Sequence, residues 1–360
     1  MKLALAAMIA LLTLESARAE QLSAPLQNQA KYYIATVKIG TPATEYKLLV
    51  DTGTSNTWIG ANTPYVPTSS SNKTPNSFSV SDGGKKEASG NEWIDTVDLG
   101  NDLVVKAQSI GVANKPTGFS GVDGVLGLGP VDLTKGTLSP DETSTIPTVL
   151  DNLASQRTIP AALYGVSFQP ATSMSEVNGE ITFGGVDQSK FVGDITYVAI
   201  TTTSPANNHW GIDASFTYGA KEILSSAAGI VDSATTRLLL ASDAFHKFQD
   251  ATGATLDPAT GFLSITPDHY HSMNSLFIHI GGTAFELTVN ALTWPRSLNS
   301  EIKGSSDQIY LIVGDLGSPS GGGLDFILGC KVMERIYTVF DSAKQQVGFA
   351  ETPFTRYITN

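Results

Sequence analysis

The sequence predicts a mainly all-β protein, folded as two similar lobes. Three observations carry that expectation. Short β-prone runs alternate with turn residues, as at 33–39, 46–50 and 179–183. The 360 residues include 34 Gly and 17 Pro, too many turn formers for a helical bundle, and 41% are hydrophobic, too many for a disordered chain. The third is an internal echo. Val50-Asp51-Thr52-Gly53-Thr54-Ser55 returns in type as Val231-Asp232-Ser233-Ala234-Thr235-Thr236. Each copy ends an apolar run. Each is followed by an apolar-apolar-Gly unit, Val125-Leu126-Gly127 in the first half and Ile327-Leu328-Gly329 in the second.

Taken in order, residues 1–19 read as a secretory signal peptide. Met1-Lys2 is a short basic start, 3–14 an apolar run, and Ala17-Arg18-Ala19 a small-x-small cleavage site. A run of about a dozen residues is too short to span a bilayer. Secretion to the outside of the cell follows, with no membrane anchor. Residues 20–188 form the expected N-terminal lobe and 189–360 the C-terminal lobe. Helices are few, the better candidates being 148–155 and 242–251, the second opened by Ser242 as N-cap. His269 and His271 fall on one face of an expected strand. No third ligand accompanies them, and they read as surface histidines rather than a metal pair. Asn72-Lys73-Thr74 is a glycosylation sequon.

Charge excludes one class of partner. The chain has 34 acids against 22 bases, a net of -12, and no basic cluster that would hold nucleic acid. The single Cys330 cannot form an intrachain disulfide and follows Ile-Leu-Gly in an apolar run, so it reads as a core thiol. Nothing points to an obligate oligomer.

The two Asp segments carry the chemistry. A carboxylate at the end of a buried strand is costly unless it is hydrogen-bonded. Gly53 lets a backbone N–H approach it, and Thr54 offers a hydroxyl. If the halves meet about a pseudo-twofold axis, Asp51 and Asp232 face each other and share a proton. One then serves as general base on a water, while the other polarises a carbonyl. That is peptide hydrolysis at acid pH with neither metal nor cofactor.

On these residues the sequence resembles the pepsin-like aspartic endopeptidases. Asp51-Thr52-Gly53-Thr54-Ser55-Asn56-Thr57-Trp58 carries the likeness most specifically, with support from Ile39-Gly40-Thr41-Pro42, Asp123-Gly124-Val125-Leu126-Gly127 and Thr338-Val339-Phe340-Asp341. The resemblance implies the bilobal acid-protease fold, two pseudo-symmetric lobes with a cleft between them, and a polypeptide substrate lying extended in that cleft. It implies Asp51 and Asp232 as catalytic pair, Thr54 and Thr235 bonded to their outer oxygens, Thr52 and Ser233 interlocked beneath them, and Trp58 behind a flap.

Three departures from the family pattern accompany the likeness. Ala234 stands where the family has Gly, at a cost of about 1 kcal/mol if its φ is positive. Arg237, among apolar neighbours, either steers charge near the pair or lies exposed. The flap position that holds Tyr in the family reads Asp82, followed by Gly83, and there is no Tyr between Tyr65 and Tyr164. Only residues 20–31, with one Lys, precede the first strand, where family zymogens carry a basic propeptide. These departures motivate a competing expectation: a catalytically impaired relative that binds peptide or protein in the same cleft.

Overall fold

The computed structural model describes residues 22–82 and 86–360. The signal peptide expected at 1–19 and Gly83 at the flap tip lie outside the described residues.

Among the described residues the strands form three sheets, of fourteen, seven and three strands. Local alternation shows why. In Tyr33–Ile39, Tyr33, Ala35, Val37 and Ile39 are buried while Thr36 and Lys38 face solvent. This strand turns at Gly40, whose φ of +93° favours glycine, and pairs antiparallel with Thr44–Asp51. Thr44–Asp51 carries the first Asp at its end and is buried through its last four positions.

The internal echo becomes a pairing rule. Thr44–Asp51 runs parallel to Gly124–Gly127, with Asp51 opposite Gly127. Lys221–Val231 runs parallel to Phe326–Leu328, with Val231 opposite Leu328. Each apolar-apolar-Gly unit therefore lies beside the strand that delivers an Asp. The glycines permit close crossing: a Cβ on Gly127 would sit 2.4 Å from the Ser55 backbone, and one on Gly329 would sit 2.5 Å from the Thr235 carbonyl oxygen.

The fourteen-stranded sheet draws on both ends of the chain. Leu163–Ser167 pairs with Glu176–Phe183 on one side and with Ile336–Asp341 on the other. One large apolar cluster runs through the molecule and includes Tyr33, Tyr164, Trp210 and Phe340. Tyr164 OH and Trp210 Nε1 both donate to the Leu128 carbonyl oxygen, at 2.6 and 2.9 Å. Cys330 is fully buried, as expected, and burial pushes its thiol well up from the usual range.

The first helix, Val149–Ser155, has Thr148 as N-cap in a full capping box with Asp151. The second, Ser242–Thr252, corrects the expected cap. Its N-cap is Ala241, and the Ser242 hydroxyl instead donates to Asp315 Oδ1 at 2.7 Å. The strand expected around His269 is also corrected. Pro267–His271 is a short helix, with Thr266 accepting from the His269 N–H and Pro267 in the first turn. Residues two apart on a helix do not share a face, so His269 and His271 do not converge.

Candidate active site

Asp51 ends its strand and is received by the loop that follows. The Gly53 and Thr54 N–H groups donate to Asp51 Oδ1 at 2.8 and 3.1 Å, and the Thr54 hydroxyl donates to Oδ2 at 2.8 Å. The second loop repeats the arrangement. The Ala234 N–H donates to Asp232 Oδ1 at 2.9 Å and the Thr235 hydroxyl to Oδ2 at 2.6 Å. Beneath them the loops are cross-linked. Thr52 Oγ1 donates to the Val231 carbonyl oxygen at 3.0 Å, and Ser233 Oγ donates to the Val50 carbonyl oxygen at 2.8 Å. The two carboxyls approach the same point. A Cβ placed on Gly53 would lie 2.9 Å from Asp232 Cγ and 3.2 Å from Asp51 Oδ1.

Electrostatics follows from this crowding. Burial, then the neighbouring Asp232, push the Asp51 carboxyl up to about 7. Hydrogen bonds from Thr54 and Gly53 and the charge of Lys86 act in the opposite direction. Two carboxyls held this way titrate as one system and can carry a single proton between them, the arrangement that acid–base attack on a carbonyl by water needs.

The pair lies in a cavity of about 360 Å³ whose lining comes from both halves of the chain. One wall is apolar, with Leu49, Trp58, Phe119 and Val125; Trp58 meets Phe119 edge-on at 4.6 Å. The hairpin of Asn72–Asp82 and Lys86–Asp98 supplies Val80, Ser81 and Lys86. Asp82 opposes Lys86 in the hairpin register; its side chain is outside the described residues. His209 completes the lining, its Nδ1 3.2 Å from the Gly53 carbonyl oxygen, and burial draws its imidazole below the usual range.

Two of the residues singled out in the sequence are resolved by position. Ala234 does not have a positive φ, so the expected strain does not arise, and its methyl packs against the apolar cluster that contains Trp58 and Val125. Arg237 neither lines the cavity nor lies fully exposed. Its guanidinium stacks over Phe262 at 4.7 Å and donates to the Gly261 carbonyl oxygen at 2.6 Å.

Comparison with known proteins agrees with this geometry. The model of the eukaryotic aspartyl protease family matches residues 32–352. The chain belongs to that family. This aspartyl protease is 55% identical to polyporopepsin of Irpex lacteus over 339 residues, covering 94% of this chain and 99% of the relative. It is 31% identical to rhizopuspepsin-1 of Rhizopus niveus over 341 residues, covering 90% and 79%. The crystal structure of the Irpex lacteus aspartic proteinase superposes with a TM-score of 0.92, over 94% of this chain and 99% of that one. The protease thus has the pepsin-like fold and is an endopeptidase, a hydrolase of peptide bonds.

Of the expected site residues, the structure brings together Asp51, Thr52, Gly53, Thr54, Ser233, Asp232, Ala234 and Thr235, with Trp58 in the cavity wall. Sequence reading gave no role to Lys86, Phe119 or His209. The available signals were a Lys pair just past the flap turn and a His directly before Trp210. Neither sits in a motif that marks it as lining the cleft.

Proposed function

We propose that this protease is secreted and works at acid pH, with Asp51 and Asp232 as its catalytic pair. The observation that carries the reading is the pair of carboxyls, each satisfied by its own loop and both converging within about 3 Å of one point at Gly53.

Burial and the neighbouring Asp232 raise the Asp51 carboxyl, and we assign to it the proton that the pair shares. Asp232 takes a proton from a water held between the two carboxyls, and the water oxygen attacks the peptide carbonyl carbon. Asp51 gives its proton to the carbonyl oxygen. The C–N bond of the resulting gem-diol breaks as the proton on Asp232 passes to the leaving nitrogen, while one diol hydroxyl returns its proton to Asp51. The Thr54 and Thr235 hydroxyls keep each carboxyl oriented through the cycle. The substrate lies extended between lobes formed by 20–188 and 189–360, its backbone pairing as an added strand. Secretion is supported by the signal-peptide pattern at 1–19. No helix among the described residues is long and apolar enough to cross a membrane.

The test is cleavage of an acid-denatured protein at about pH 4, with and without pepstatin, a mimic of the tetrahedral intermediate. Cleavage that pepstatin blocks is expected. A folded protein that binds pepstatin and cleaves nothing would instead identify a peptide-binding relative. N-terminal sequencing of protein from the culture medium should begin at Glu20; retention in cells with an uncut leader would overturn secretion.

A further inference from the structure

The Lys86 side chain lines the cleft, and its neighbour across the hairpin register is Asp82, whose side chain lies outside the described residues. It opens the strand Lys86–Asp98 on the return arm of the flap hairpin and is half-buried. Its ammonium lies 5.8 Å from the Phe119 ring centroid. Among the described residues no carboxylate lies within ion-pair distance of it. Among the described side chains, the charged and titratable groups that share the cavity with it are Asp51, Asp232 and His209. Glu87, the next residue on the strand, is exposed, and its backbone bonds to that of Thr117.

We propose that Lys86 is a specificity-determining residue, selecting polypeptides that place an Asp or Glu side chain beside the scissile bond. This rests on the endopeptidase reading of the same cleft and adds the class of side chain it prefers. Lys86 is half-buried and its ammonium faces the Phe119 ring, a weaker partner for a cation than a carboxylate. A substrate carboxylate restores a full charge-assisted hydrogen bond in a site of reduced dielectric. Lys86 also offsets the repulsion that a carboxylate would meet from the Asp pair. His209 lines the same cavity and adds positive charge once protonated.

The experiment uses the full chain and peptides whose central bond is reduced and cannot be cut. They carry Glu, Gln or Leu at each position flanking that bond. Binding is measured by calorimetry at about pH 3 and about pH 5, either side of the ordinary Glu titration. At the upper pH one Glu peptide should bind about tenfold more tightly than its Gln counterpart, and at the lower pH about equally. Lys86→Arg should keep the preference, Lys86→Met should abolish it, and Lys86→Glu should turn it toward a Lys-bearing peptide. Equal Glu and Gln binding at every position, or a Glu preference that survives Lys86→Met, would overturn the proposal. A Leu peptide with an intact central bond is assayed alongside. If it binds but is not cut, the endopeptidase reading fails, while the Glu–Gln comparison still decides the role of Lys86.

Discussion

Thr52 and Ser233 exchange hydrogen bonds across the two halves of the chain. The Thr52 N–H donates to Ser233 Oγ at 3.1 Å, and the Ser233 N–H donates to Thr52 Oγ1 at 3.0 Å. Both residues are fully buried. The two Asp loops are therefore held by one reciprocal lock, and the carboxyls above cannot separate without breaking it.

Removing either hydroxyl should loosen both loops. Thr52→Val and Ser233→Ala each orphan a buried N–H, at about 1–3 kcal/mol of stability. The double variant should cost clearly less than the sum, because losing either set of bonds already lets the two loops part. Urea denaturation of the four proteins in the cycle checks this; additive losses would mean that the lock is not one unit.

The two loops should respond differently to a methyl group. Gly53→Ala drives a Cβ to within 2.9 Å of the Asp232 carboxyl, so peptide cleavage should fall steeply. Ala234→Gly removes a methyl from a backbone without positive φ, and should change kcat/KM by less than about fivefold. Steady-state kinetics on one peptide substrate compares them. Strong activation by Ala234→Gly would show that the alanine impairs the site after all.

Stability should depend on pH through Asp51. Its carboxyl is raised in the folded protein, so the folded state keeps a proton that the unfolded chain loses above the ordinary value of 3.8. The stabilisation is fully present below that value and is lost as pH rises through about 7. Asp51→Asn cannot titrate, so its melting temperature should fall less than wild type between about pH 4 and pH 7. Parallel melting curves across that window would contradict the raised carboxyl.

The signals that could be read locally were legible. The Asp-Thr-Gly-Thr segment exposes its chemistry because a strand-end carboxylate demands nearby donors, and Thr54 and Gly53 supply them. The helix at 148–155 was legible from its pattern, while the box that Thr148 and Asp151 close at its start went unread although both residues stand at the right spacing. The Pro267–His271 helix was misread because alternation of His, Tyr and His outweighed Pro267 and the Thr266 cap. Lys86 and His209 were illegible in principle. They come from segments far apart in sequence, and only the packing of both halves sets them around one cavity.

A buried ion pair near the N-terminal strands gives a separate stability test. Lys331 Nζ lies 2.8 Å from Glu334 Oε1, both side chains are 3% exposed, and Asn28 Nδ2 and Tyr33 OH donate to the same carboxylate at 3.2 Å. Lys331→Met strands a buried negative charge and should cost on the order of 3–5 kcal/mol. Adding Glu334→Gln should recover part of that. No recovery would show that Lys331 acts through its packing on Trp294 rather than its charge.

The most direct test of the central claim is kcat/KM for Asp51→Asn, Asp232→Asn and the double variant on a peptide substrate at about pH 4, with folding checked by circular dichroism. If the pair acts as one unit around a shared proton, each single variant should lose at least about a thousandfold, and the double little more than either. A folded single variant that retains cleavage near the wild-type rate would contradict the account.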